Sequence, residues 1–218
     1  HLTLERDLDI VVIDVSRPLI QPLLPRGYLR EPLSGLERAG AFLLTRIDQT
    51  TAQQVEAVEE YLSTRFPGRR IFHASYQPVG LIPYSQWVVN SGFTGEDTLL
   101  QEFRGKKAGL FAGVASPASV RKTVSRLGVC VVNTLKLADH QPITAGELVD
   151  FSRESLMMGA EILITTEKDA VKLEALRTTS ETPELLPLYI LTIELSLREG
   201  EEDFLHWLAG QIPIQAGK

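Results

Sequence analysis

The chain reads as an α/β protein built on a mostly parallel sheet, and three observations carry that reading. Short apolar runs recur at residues 9–14, 41–45, 108–112, from 130, at 161–164 and at 188–193. Amphipathic stretches separate most of them, and alternating strands and helices imply parallel strands joined by crossover helices. Helix-start signals stand where such crossovers should begin: Pro117 directly after Ser116, and the capping-box sequence Thr144-Ala145-Gly146-Glu147.

Taken in order, residues 9–14 are β-branched and apolar between two carboxylates, the pattern of a strand covered on both faces. Pro18, Pro22 and Pro25 then force an extended loop. The second strand, 41–45, ends in Arg46-Ile47-Asp48. The helix after it places Val55, Val58 and Leu62 on one face and Glu56, Glu59 and Glu60 towards solvent. Between Phe66 and Trp87 the pattern changes to alternation closed by Pro78, Gly80 and Pro83, which suits an extended connector or a short hairpin arm. The expected division is therefore 1–66, a connector 67–87, and a smaller α/β domain 88–218.

In that last domain Val120, Val124 and Leu127 form the buried stripe of a helix that Gly128 ends. Cys130 lies in the apolar run 127–132 and reads as a small buried residue. Ile143 and Leu148 can make the hydrophobic staple of a helix reaching about Met158. Thr166 can cap a helix that begins at Glu167, and a final helix is expected at 201–212.

Composition narrows the function. With 218 residues and 44% hydrophobic content the chain can bury a core in one or two domains. A formal net charge of -6 gives no general attraction to nucleic acid or to an anionic membrane face, so no nucleic-acid partner is expected. A lone cysteine cannot form an internal disulfide, which fits a reducing compartment. No apolar run approaches the roughly 18 to 20 residues that span a bilayer, so membrane contact would be peripheral. The sequence has neither a G-x-x-x-x-G-K-[ST] phosphate loop nor a G-x-G-x-x-G dinucleotide fingerprint, and His73, His206 and Cys130 lack the spacing of a zinc site.

Charged residues stand at the ends of apolar runs in three segments, 24–33, 138–144 and 165–173. Groups leaving the carboxyl ends of strands line the ligand crevice of α/β sheets, so the three together point to a shared site. His140 can take a proton from a hydroxyl at neutral pH, with a carboxylate such as Asp139 orienting the ring. Neighbours in an extended segment point to opposite faces, and a turn residue before Pro142 is the other reading. Arg30 offers a planar fork for phosphate, and Glu31 a carboxylate for magnesium; the alternative is a surface ion pair. Lys168 can face an anion at a helix start, or simply be solvated there.

The order and spacing of these segments resemble the tetraacyldisaccharide 4'-kinases, which phosphorylate a lipid A precursor with ATP. His1 looks like the last residue of that family's Asp-Asp-Gly-x-Gln-His motif. The resemblance continues through residues 6–14, the Leu29-Arg30-Glu31-Pro32 box, Phe111-Ala112-Gly113-Val114, Asp139-His140 and the Thr-Thr-Glu-Lys-Asp-Ala-Val-Lys run at 165–172, which is the most specific. Two places depart from the pattern: Leu19-Ile20-Gln21-Pro22 stands where the family has Gly-Asn-Gly, and Gly113-Val114-Ala115-Ser116-Pro117 where it has Gly-Ile-Gly-Asn-Pro.

The resemblance implies the distal part of a P-loop kinase-like sheet, a short β connector and a smaller Rossmann-like domain. It makes His140 and Asp139 catalytic, His140 pairing with a carboxylate on an N-terminal domain outside this chain. Arg30, Glu31 and His1 would lie at the nucleotide, with Glu31 on the metal. ATP and Mg2+ would be held mainly upstream, the substrate would be the lipid A disaccharide precursor, and the full enzyme would touch the cytoplasmic face of the inner membrane. An apolar seam near Ile10 and Ile13 would be left where the upstream half docks. The alternatives are a non-catalytic α/β remnant or interaction module, and a sugar-binding Rossmann-like domain.

Because the triphosphate cradle is missing, calorimetry of this chain with ATP and magnesium is expected to show no micromolar site. Finding one, equivalent to about 8 kcal/mol of binding free energy, would overturn the assignment of the nucleotide to upstream elements.

Overall fold

The computed structural model describes residues 6–27, 29–90, 100–114, 117–138, 142–173, 185–198 and 200–211. They fall into two compact units, the first formed by residues up to Tyr76 together with those from Leu195 onward, the second by Gln77–Glu194.

In the first unit, β1 (Ile10–Asp14), β2 (Ala41–Thr45) and the start of β3 (Arg70–Pro83) pair in parallel, with Ile10 opposite Ala41 and Ala41 opposite Arg70. Side chains alternate across a strand, so β2 presents two apolar faces. Phe42 and Leu44 pack with Val55 and Leu62 of helix α1 (Ala52–Arg65). Ala41 and Leu43 pack with Phe72, Phe204 and Trp207 on the other face. All five residues of β2 are buried as a result.

The first strand is covered less completely than its composition suggests. β1 stands at the edge of the strand order, and the aromatic cluster that packs on Ile10 does not reach Val12, which is 60% exposed. Thr51 caps α1 through a reciprocal box with Gln54, the same Thr-x-x-acceptor pattern as at Thr144.

The second unit orders its strands β3-β7-β6-β4-β5. Here β4 is Lys107–Ala112, β5 Cys130–Lys136, β6 Ile162–Thr166 and β7 Leu188–Leu197. β4 pairs in parallel with both β5 and β6, and β6 in parallel with β7. A short helix α2 (Tyr84–Asn90) follows β3. Helices α3 (Pro117–Arg126) and α4 (Ala145–Met157) cover opposite faces: Val124 meets Ala108, Leu110, Ile162 and Ile164, whereas Leu148 and Phe151 meet Phe111 and Leu163. Ile143 joins the α4 cluster beside Leu148, as a staple requires. α4 comes so close at Gly109 that an added Cβ would lie 2.4 Å from Ser155 Oγ. The four-residue helix α5 (Glu167–Ala170) is capped by Thr166 as expected, and α6 (Glu201–Ala209) closes the described chain.

Within residues 67–87 runs the 14-residue strand β3, and the division between units falls inside it at Tyr76. Two further features differ from what the sequence suggests. The segment from Leu195 belongs with the first unit, because Phe204 and Trp207 sit against Phe72 at centroid distances of 5.0 Å each. Cys130 is exposed, since it opens the edge strand β5 and its neighbour Val131 turns inward.

Phe111 is fully buried on β4, an interior strand of the second unit. Phe111→Ala should cost about 3 to 5 kcal/mol by chemical denaturation, the range for removing a large core ring. A loss below about 1 kcal/mol would show that the α4 face is not a packed core.

Candidate active site

The first unit carries a groove of about 400 Å³ at the carboxyl end of β1, and both residues of the Arg30-Glu31 pair line it. Beside them are Asp14, Arg17 and Arg38. The Pro-rich segment closes on itself, Leu24 N–H donating to the Leu29 carbonyl at 2.9 Å, and so presents Arg30 and Glu31 at the groove's rim. Arg38 donates to the Glu31 carboxylate across the groove; the two side chains are 46% and 60% exposed. An ion pair this open is worth about 0 to 1 kcal/mol, so it can exchange for a ligand at little cost.

Asp14 is the groove residue that the sequence reading passed over. Its Oδ1 accepts from the backbone N–H of Ser16 at 3.0 Å and from the Ser16 hydroxyl. Its Oδ2 lies 3.5 Å from Arg46 Nε and 3.8 Å from Arg17 Nε. Arg46 holds a left-handed φ of 60° at the end of β2, a costly conformation for a non-glycine residue, with its guanidinium 5.8 Å from the Tyr76 ring centroid. A carboxylate at the carboxyl end of a parallel strand was the available signal for Asp14.

In the second unit, the specific 165–172 run proves to be a clasp. Asp169 is only 2% exposed. Its Oδ2 accepts from the Gly113 N–H at 2.9 Å and the Thr166 hydroxyl at 2.8 Å, and its Oδ1 lies 3.3 Å from Lys172 Nζ. Thr165 Oγ donates to the Phe111 carbonyl at 2.9 Å. Lys168 donates to the Gly113 carbonyl at 3.2 Å. β4 connects outward to β5 on one side and β6 lies on its other side, so the loops after β4 and β6 diverge at a topological switch point. The amide that a ligand phosphate would seek there is taken by the chain's own carboxylate, which argues against a dinucleotide site.

The Leu137 N–H donates to the Ala112 carbonyl at 3.1 Å, so the end of β5 is tied to the same strand end. A second groove of about 340 Å³ is lined by Lys136, Ala138, Pro142, Glu147 and Asp150 among others. Asp139 and His140 lie outside the described residues, as does His1. Of the sequence-identified site residues, the structure thus brings Arg30 and Glu31 to one groove. His73 is buried against Glu59, away from either groove.

Parallel strands, helices on both faces and charged groups gathered at strand carboxyl ends define a doubly wound α/β protein. LpxK from Aquifex aeolicus, an "apo" form crystallised in complex with ATP, shares this fold with a TM-score of 0.56 and 24% identity over 95% of this chain and 53% of that one. The chain belongs to the tetraacyldisaccharide-1-P 4'-kinase family, whose model matches residues 1–213. The tetraacyldisaccharide 4'-kinase of Anaeromyxobacter dehalogenans strain 2CP-C is 37% identical over 175 residues, 80% of this chain and 44% of the relative. That of Halothermothrix orenii is 32% identical over 203 residues, 91% and 52% respectively. The chain spans about half the length of the curated relatives it matches.

Glu147, at the second groove, has its carboxyl held below the ordinary value by the Thr144 backbone N–H and then by the Thr144 hydroxyl. A depressed carboxylate contributes stability that is present above its unfolded pKa and lost as pH falls through the folded one. Acid titration of the chain should therefore weaken α4 over that window, and Glu147→Gln should flatten the dependence. Identical pH profiles for the two proteins would contradict the capping assignment.

Proposed function

We propose that this chain is the C-terminal part of an enzyme that transfers the terminal phosphate of ATP to the 4'-hydroxyl of a tetraacylated disaccharide precursor of lipid A. The observation that carries the reading is the family match over residues 1–213, together with Arg30 and Glu31 of the family's box at one groove beside Asp14. The exposed Val12 on edge strand β1 is consistent with further protein packing there.

Phosphoryl transfer needs positioning and charge neutralisation more than covalent help from the protein. Arg30 would bind phosphate oxygens through its fork, and Arg17 and Arg38 make the groove locally cationic although the chain is net acidic. Glu31 and Asp14 supply hard oxygen donors of the kind Mg2+ prefers, and the exposed Glu31–Arg38 pair can open to share its carboxylate. Bound magnesium would neutralise charge on the phosphate oxygens. His140, oriented by a carboxylate such as Asp139, would take the proton of the sugar hydroxyl, and His1 would lie near the phosphates. Among the described residues no helix is long and apolar enough to cross a membrane. Contact with the cytoplasmic face of the inner membrane would then be peripheral.

The test uses the longer enzyme that carries this chain. His140→Ala should lower kcat by roughly 10² to 10⁴ while ATP affinity stays nearly unchanged. Arg30→Ala or Glu31→Ala should instead raise the ATP or magnesium requirement. Full activity of a folded His140→Ala protein would remove this histidine from the mechanism; absence of any kinase activity in the wild-type protein would favour the non-catalytic module.

A further inference from the structure

Asp14 stands where β1 ends, and its backbone is pinned on both sides by one residue. Thr45, its parallel partner on β2, accepts the Val15 N–H at 3.2 Å through its carbonyl and donates its hydroxyl to the Ile13 carbonyl at 3.3 Å. Thr45 is 3% exposed, so both bonds are made in the core. The position of Asp14 is thereby fixed, and what remains to be set is the direction of its carboxylate.

The residue after Thr45 sets it. Asp14 and Arg17 line the first groove, and Arg46 does not. Arg46 Nε lies 3.5 Å from Asp14 Oδ2 from outside that lining, while Arg17 Nε lies 3.8 Å from the same oxygen from within it. Ser16 holds the other oxygen, and the Tyr76 ring centroid is 5.8 Å from the Arg46 guanidinium. The backbone at Arg46, φ 60° and ψ 30°, is one that glycine adopts freely and arginine only at a cost. The turn that follows, with the Gln49 N–H donating to the Arg46 carbonyl at 2.9 Å, uses that conformation and not the side chain. Glycine would satisfy the turn, so the arginine is explained by what its guanidinium touches.

We infer that Arg46 is a positioning residue for the metal site: it draws Asp14 Oδ2 away from Arg17 and holds the carboxylate ready for magnesium. It acts through Asp14 and is not itself a ligand. The inference rests on the reading of Asp14 as a magnesium donor. Without Arg46, Arg17 holds that oxygen from inside the groove, and an arriving metal must displace it. Residues that orient a metal-binding side chain typically change metal affinity by about 10-fold to 100-fold when removed.

The experiment uses the longer enzyme that carries this chain, with Arg46→Gly, Asp14→Asn and the double variant. Metal binding is followed directly, as loss of the free Mn2+ electron paramagnetic resonance signal with a non-hydrolysable ATP analogue present. The magnesium dependence of the rate is measured alongside. Arg46→Gly should weaken Mn2+ binding and raise the half-saturating magnesium concentration by about tenfold. Its kcat at saturating magnesium should stay within about twofold, and its unfolding midpoint should rise or fall by no more than about 3 °C, because glycine relieves the backbone. In the Asp14→Asn background Arg46→Gly should add less than about twofold, since the group it orients is gone. Unchanged metal affinity in Arg46→Gly, losses that multiply in the double variant, or a weakened site accompanied by a midpoint lowered further than that would overturn the proposal and leave Asp14 its role. Unaltered metal binding in Asp14→Asn would remove Asp14 from the metal and overturn the proposal with it. Should Arg46→Gly fail to fold, Arg46→Asn, which tolerates the same backbone, carries the same expectations and the same power to overturn.

Discussion

A buried carboxylate meeting a glycine amide across 56 residues of sequence organises the second unit. Its three partners come from different places in the chain: the Gly113 amide after β4, the Thr166 hydroxyl at the end of β6 and the Lys172 ammonium after α5. Parallel strands bring their carboxyl ends to one edge without any tie between the loops that leave them. The aspartate supplies that tie. It also explains why glycine stands at 113: a side chain there would collide with the carboxylate that defines the turn.

The first unit solves a different problem. Its groove gathers cations and carboxylates that are partly exposed and paired with one another, Glu31 with Arg38 and Asp14 with Arg17, and Arg46 meets Asp14 from the end of β2. Such pairs add little to stability, but they keep polar groups oriented towards a solvent-filled space in which an anion or a metal can replace either partner. The two units thus use charge in opposite ways, one buried and fixed, the other open and exchangeable.

Much of this was legible in the sequence because it is local. The Thr144 capping box, the Thr166 cap and the buried stripe at Val124 and Leu127 depend on spacings of three or four residues, and the structure shows them. What escaped depends on partners distant in sequence. Cys130 looked buried from its apolar neighbours, but exposure is decided by β5 lying at a sheet edge. Val12 looked covered for the same reason. Nothing near Lys168 in sequence points to its bond with the Gly113 carbonyl, 55 residues away. At the candidate site, Arg30 and Glu31 were readable as a charged box, while the meeting of the groove's Asp14 with Arg46 depends on the pairing of β1 with β2.

The packing of α6 on β3 sets an order of events during synthesis. Ala41, Leu43 and Phe72 present an apolar face that Phe204 and Trp207 cover, and those two residues emerge only after the whole of the second unit has been made. At ordinary elongation rates the interval is on the order of ten seconds. The first unit to be translated is therefore the last to be finished, and its open face is left to the nascent chain's own collapse or to a chaperone until the C-terminal aromatics arrive.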